Sequence, residues 1–231
     1  MDHIRLSPRL QMVADFVPPC ACAADIGTDH GYLPVWLLQS GVIQSAIAAD
    51  IHAGPLANAR QSAAAYDLEE RFRFVQADGL QFSGAQAADV ITIAGMGGET
   101  ICTILAAAPW LRQGKRLVLQ PQSKVPELAD WLWHNGFTIE DAALCRDAGK
   151  RYLALRVLGR VAAQSCTVEQ LLLRHRDPLL PEHLKEEIRR QKRARAGMVH
   201  AKQTPEAALA ALDARLSELE TCLKEVQTWQ S

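Results

Sequence analysis

An α/β domain on a mostly parallel sheet, followed by a smaller helical unit, is the fold class that this 231-residue sequence predicts. Three observations carry it. From about residue 20 to 158, short unbroken apolar runs rich in Val, Ile and Ala alternate with longer amphipathic segments, the pattern of strands buried on both faces. After about residue 160 the chain turns charged and helical. Its last segment carries a leucine seam at alternating three- and four-residue steps.

Seven runs read as strands: 20–27 (CACAADIG), 45–50 (SAIAAD), 72–78 (FRFVQAD), 88–95 (ADVITIAG), 115–122 (KRLVLQPQ), 137–145 (FTIEDAALC) and 152–158 (YLALRVL). Between the first five, segments 32–41, 55–68 and 98–114 read as helices, with Pro55 suited to a first turn and Gly41 and Gly114 to helix stops. Strand–helix alternation implies a parallel sheet with helices on both faces. The last two runs leave no room for a helix between them, so they form an antiparallel pair at the sheet edge. In the tail, 167–184 is helical but broken by Pro178 and Pro181, and 181–202 is a charged helix. A Thr-Pro-Glu start at 204–206 opens a helix whose seam is Leu209, Leu212, Leu216, Leu219, Leu223 and Val226. The two long helices form an antiparallel coiled-coil hairpin joined near 202–205. The expected domains are 1–160 and 161–231.

Charged residues make up 22% and the formal net charge is -1, so any nucleic-acid or membrane signal must be local. Six scattered cysteines with no C-x-x-C pair read as buried thiols rather than a metal site. The N-terminus has no apolar leader core and no run approaches a membrane span, which predicts a cytoplasmic protein with reduced thiols.

The chemistry concentrates in 25–31, DIGTDHG, which follows a strand and opens a helix. Gly27 and Gly31 let the backbone turn sharply and approach a ligand, and the helix N-terminus favours negative charge. Asp50 ends the second strand, where an acid binds both hydroxyls of a ribose, and Asp78 ends the third, where a carboxylate accepts from an adenine amino group. The turn lacks the close glycine pair that admits a pyrophosphate. A nucleoside cofactor without phosphates fits better, and S-adenosylmethionine fits this set. After the fourth strand, Gly95, Gly97 and Gly98 in 91–100 (ITIAGMGGET) leave a bare backbone against which a planar base can lie. The N-P-P-Y motif of amino-directed methyltransferases is absent there, which lowers the weight of exocyclic-nitrogen chemistry.

The segments ADIGTDHGYLP, AADIHAGPLANA, ITIAGMGGETI and LVLQPQ with LADWLWHNGF, together with the opening RLSPRLQMVADFV, resemble the bacterial TrmK family. These enzymes are tRNA methyltransferases acting on N1 of adenine 22. The resemblance covers roughly residues 4–160 closely, and the tail matches in helical character more than in letters. It implies a class I, Rossmann-like methyltransferase domain followed by a coiled-coil domain. It implies a cofactor turn of Asp25, Gly27 and Thr28, with Asp50 and Ile51 at the ribose, Asp78 and Gly79 at the adenine, and Ala94, Gly95 and Met96 on the methionine side. Arg9 is the partner for the cofactor's carboxylate, against the alternative of a surface arginine on a helix.

Asp29 is the catalytic residue expected from this reading. A carboxylate beside the methyl group would orient the adenine amino group and stabilise the ring cation formed by alkylation at N1. Its alternative is a cap for the helix starting near Tyr32. His30 and Tyr32 are expected at the substrate with Gly97 and Gly98, against local packing. The run 185–202 is strongly basic, and Arg189, Lys192 and Arg193 share one helical face suited to phosphates. The alternative there is a solvated coiled-coil face. Arg146, Lys150 and Arg151 add a second basic group. A tRNA partner, no membrane, and a monomer or weak dimer complete the expectation. The competing functions are methylation of a small molecule or another RNA adenine, and a non-catalytic nucleotide-binding module.

Overall fold

Seven strands form one sheet in the order β3-β2-β1-β4-β5-β7-β6 in the computed structural model, which describes residues 3–161, 166–200 and 206–230. The elements are α1 (Pro8–Asp15), β1 (Cys20–Ile26), α2 (Tyr32–Gln39), β2 (Ile43–Asp50), α3 (Ala53–Ala65), β3 (Phe72–Gln76), β4 (Val90–Gly97), α4 (Gly98–Ala106), β5 (Arg116–Ser123), α5 (Val125–His134), β6 (Thr138–Asp147) and β7 (Lys150–Leu158). β1 through β5 are mutually parallel, and β7 enters antiparallel between β5 and β6. The antiparallel edge pair expected from the sequence is therefore present.

The central strands explain why this sheet is buried on both faces. Ala23, Ala24, Ile26, Ile91, Ile93, Leu117 and Leu119 are all buried, each branched side chain contributing about 1.5–3 kcal/mol on leaving water. Small residues let helices come close. A Cβ at Gly31 would stand 3.0 Å from Ala59 Cβ, so the start of α2 rests on α3. Two helices were not read from sequence. α5 begins after Lys124 in a left-handed conformation, and a Pro at its start marks a turn as much as a helix. α1 is capped by Ser7, whose hydroxyl accepts from the Leu10 amide.

The six cysteines are half-buried rather than fully buried. Cys20 opens β1 at the sheet's rim, and partial burial still pushes its thiol up to about 11.

The chain divides into two compact units, Met1–Cys166 and Thr167–Ser231. The second contains α6 (Val168–Arg174), α7 (Leu180–His200) and α8 (Glu206–Gln227). Thr167 and Gln170 form a reciprocal capping box at α6. Pro178 falls in the break before α7, whereas Pro181 sits inside its first turn, where the missing N–H costs nothing. The seam is as expected: Leu216, Leu219 and Val226 are buried, and Leu209, Leu212 and Leu223 half-buried. The expected start signal at Thr204 and Pro205, the joint at 202–205 and Lys202 lie outside the described residues.

Glu169, His183 and Arg215 meet inside this unit. Arg215 Nη2 donates to Glu169 Oε1 at 2.7 Å, and His183 Nε2 stands 3.9 Å from the same oxygen. Burial alone would raise the Glu169 carboxyl, but His183 and the Arg215 guanidinium hold it at about 2.

Candidate active site

The C-terminal ends of β1 to β4 lie side by side, and the turns leaving them enclose a cleft of about 430 Å3. Ile26 and Gly27 come from β1, Asp50 and Ile51 from β2, Ala77 to Gly79 follow β3, and Met96 belongs to β4. One face of α4, Glu99, Thr100, Thr103 and Ile104, completes the wall.

The first turn is tied to the neighbouring strand. The Gly27 and Thr28 amides both donate to Ala49 O, at 2.8 and 3.1 Å. Gly27 holds a φ of 76°, and the Met96 methyl fills the place that a Cβ there would take. Thr28 is 1% exposed, and its hydroxyl joins that of Thr92 in holding down the Asp25 carboxyl. Asp25 accepts from Thr92 Oγ1 at 2.7 Å. Burial pushes the Asp25 carboxyl up from its usual 3.8, and the Thr92 hydroxyl pulls against that rise.

Asp50 accepts the His52 amide at 2.7 Å through Oδ1, so Oδ2 keeps its lone pairs for a ligand. Ile51 is 53% exposed beside it. Asp78 is exposed, and the Gly79 turn rests on Ile104.

Arg9 is not a solvated surface arginine. Its Nη1 donates to Gln120 Oε1 at 2.9 Å, its amide to Asp147 Oδ2 at 3.3 Å, and its guanidinium lies 5.8 Å from the Tyr152 ring centre. Gly95 sits in an irregularity of the β4–β5 ladder with a φ of 84°. A Cβ there would meet Arg9 Nη1 at 3.6 Å and Gln122 Nε2 at 3.9 Å. The structure thus brings Arg9 to the Ala94–Gly95 end of the site.

The three glycines after β4 differ. Gly95 is exposed and Gly97 half-buried, but Gly98 is buried against the backbone oxygens of Ser123 and Lys124. Close packing accounts for Gly98 without a substrate. Asp29, His30 and Tyr32 stand together at the mouth of the first turn. His30 Nε2 is 3.5 Å from Asp29 Oδ2, and the His30 and Tyr32 rings stack with centroids 5.1 Å apart. The N-cap of α2 is Gly31, with no side-chain cap bond, so Asp29 does not cap that helix. Tyr32 is 43% exposed and so is not core.

The comparisons with known proteins agree with this geometry. Residues 6–155 match a methyltransferase-domain family model. The chain is 38% identical over 156 residues to the tRNA (adenine(22)-N(1))-methyltransferase of Bacillus subtilis, a stretch covering 67% of this chain and 66% of that protein. The crystal structure of the B. subtilis m1A22 tRNA methyltransferase TrmK matches with a TM-score of 0.80 at 28% identity, over 95% of this chain and 99% of that one. Streptococcus pneumoniae Sp1610, a candidate tRNA (m1A22) methyltransferase solved with S-adenosyl-L-methionine, matches at 30% identity and a TM-score of 0.77, over 95% and 100%.

This chain belongs to the TrmK family of methyltransferases.

The residues present fit the cofactor of that family. The second oxygen of Asp50 and the Arg9 guanidinium, held by Gln120, are polar positions that suit its ribose and its carboxylate. Sequence reasoning missed the TrmK-family cleft's α4 wall, together with Ile26 and Ala77. One signal was available: Glu99, Thr100, Thr103 and Ile104 recur at helical spacing directly after the glycine turn. The basic residues of α7 belong to the other unit. Lys192 pairs with Glu220 at 2.7 Å, Arg195 pairs with Asp213, and the Arg189 Nε donates to its own helix at Lys185 O. Arg193 is exposed.

Proposed function

We propose that this chain transfers a methyl group from S-adenosylmethionine to N1 of adenine 22 in tRNA. The reading is supported by membership of the TrmK family, joined to the exposed Asp29–His30–Tyr32 group at the mouth of the cofactor turn. That position leaves a carboxylate and a flat aromatic pair facing a large substrate rather than a closed chamber.

When bound, S-adenosylmethionine supplies an electrophilic methyl group, which the adenine N1 lone pair attacks while the C–S electron pair stays on sulphur and the positive charge passes to the ring. Asp50 holds the ribose hydroxyls and Asp78 the adenine amino group. Arg9, fixed by Gln120, holds the carboxylate. Asp25, braced by Thr92, keeps the first turn in shape. Asp29 orients the target's amino group and offsets the charge that grows on its ring. Tyr32, backed by His30, stacks on a base. Residues 167–231 contribute RNA contacts through Arg189 and Arg193, and the protein works in the cytoplasm as a monomer or weak dimer. No described helix is long and apolar enough to cross a membrane.

The test is methyl transfer to an unmodified tRNA transcript, followed by nucleoside mass spectrometry and mapping of the modified position. One 1-methyladenosine per tRNA at position 22 is expected. Methylation elsewhere, or none with S-adenosylmethionine bound, overturns the reading.

A further inference from the structure

The end of β5 bounds the site on the side away from the cofactor turn. Strand order places β4 between β1, whose following turn carries Gly27 and Asp29, and β5, which ends in Gln120-Pro121-Gln122-Ser123. A base lying on the bare backbone of Gly95 therefore has the β1 turn on one flank and the end of β5 on the other.

The two glutamines there differ in what they do. Gln120 is 0% exposed and both ends of its amide are engaged, Oε1 by Arg9 and Nε2 by Pro121 O at 3.0 Å. Gln122, two residues on and past the irregularity in the β4–β5 ladder, is exposed, and its amide makes no hydrogen bond among the described residues. Its Nε2 is 3.9 Å from the point where a Cβ on Gly95 would stand. Gly95 lacks that atom, so this flank is open to a planar group, with a side-chain amide at its rim.

The chemistry of the target restricts how such a base is read. N1 must stay uncovered, since its lone pair forms the new bond. The N6 and N7 edge remains. A side-chain amide matches both atoms at once, accepting from N6 and donating to N7. Guanine would set its O6 acceptor against the amide oxygen. One amino hydrogen then faces the amide, and the other, beside N1, remains for a carboxylate.

We infer that Gln122 is a specificity-determining residue that pairs with N6 and N7 of the target adenine and leaves N1 turned toward the methyl donor. This rests on the tRNA reading above. The test is single-turnover methylation of tRNA carrying adenine or 7-deazaadenine at position 22, by wild type and Gln122→Ala, with S-adenosylmethionine affinity measured by calorimetry. Gln122→Ala should bind the cofactor normally and react roughly tenfold or more slowly with adenine. The 7-deaza substitution should slow the wild type comparably and slow Gln122→Ala no further. Unchanged rates in Gln122→Ala, an equal 7-deaza penalty in both proteins, or a cofactor loss matching the rate loss overturns the inference. A wild type that binds S-adenosylmethionine yet leaves adenine 22 unmodified overturns the tRNA reading and the inference together.

Discussion

Lys192 Nζ lies 2.7 Å from Glu220 Oε1, so the most basic helix of the chain is partly neutralised by the helix beside it. Charge already matched in this way displaces few counterions when a phosphate arrives. Lys192→Gln should therefore change the salt dependence of tRNA binding little. The Arg189→Gln, Arg193→Gln double variant should lower the slope by roughly 0.7–0.9 for each phosphate no longer neutralised. Binding measured across a salt series decides it. No change in either variant would move the RNA surface to Arg146, Lys150 and Arg151 on the β6–β7 hairpin, whose tip lies at the same end of the sheet as the cleft.

Asp29 supports no helix cap, and its side chain is 75% exposed. Asp29→Asn should leave folding stability within about 0.5 kcal/mol. It should keep cofactor affinity within a few-fold and cut single-turnover methylation by roughly a hundredfold. A normal rate with a lowered melting temperature would falsify the catalytic role.

Asp50 serves two masters, the His52 amide and a ribose hydroxyl. Asp50→Asn keeps an oxygen for His52 but loses the charge. It should weaken S-adenosylmethionine binding by about 1.5–3 kcal/mol, and Asp50→Ala by at least as much. Calorimetry of the two variants checks this, and unchanged affinity in both removes the ribose site.

Asp25 gives the free protein a pH signature. Its folded carboxyl titrates above the usual 3.8 because burial disfavours its charge. Between 3.8 and the raised value the folded state holds more protons than the unfolded one, so this group's contribution to stability falls as pH rises. Asp25→Asn should be more stable than wild type above that window and lose the advantage below it. Thermal unfolding of both proteins from about pH 3 to about pH 8 reads the difference, and parallel curves would rule it out.

Glu169 has the opposite sign. Held at about 2 by His183 and Arg215 against an ordinary 4.5, it stabilises the helical unit above 4.5 and loses that contribution as pH falls toward 2. Arg215→Met takes the guanidinium from a buried carboxylate, leaving only His183 beside it, and should cost about 3 kcal/mol at neutral pH. If chemical denaturation finds Arg215→Met as stable as wild type, the network is not what joins α6 to α8.

The strands were legible because β1, β2, β4 and β5 are covered on both faces and so are written as unbroken apolar runs. The Leu209–Val226 seam was legible for the same reason, burial imposed at a fixed spacing. What escaped depends on partners distant in sequence. α5 hid behind the turn signal of Lys124 and Pro126. The α4 wall is polar and looks like any exposed helix face. Whether Lys192 meets RNA or Glu220 depends on the register between two helices, which neither helix encodes alone. Arg9 was equally readable as a solvated side chain until Gln120 and Asp147 were seen to hold it.

That clamp on Arg9 has a consequence for the timing of biosynthesis. Its partners stand 111 and 138 positions later in the chain. At about 5–20 residues per second, Arg9 is made roughly 7–28 seconds before Asp147. Throughout that interval α1 can rest its apolar face on Leu33, Leu37 and Leu38 of α2, but the Arg9 amide has no Asp147 to hold it. The helix can therefore dock early, while the full fixing of Arg9 awaits β5 and then the β6–β7 hairpin.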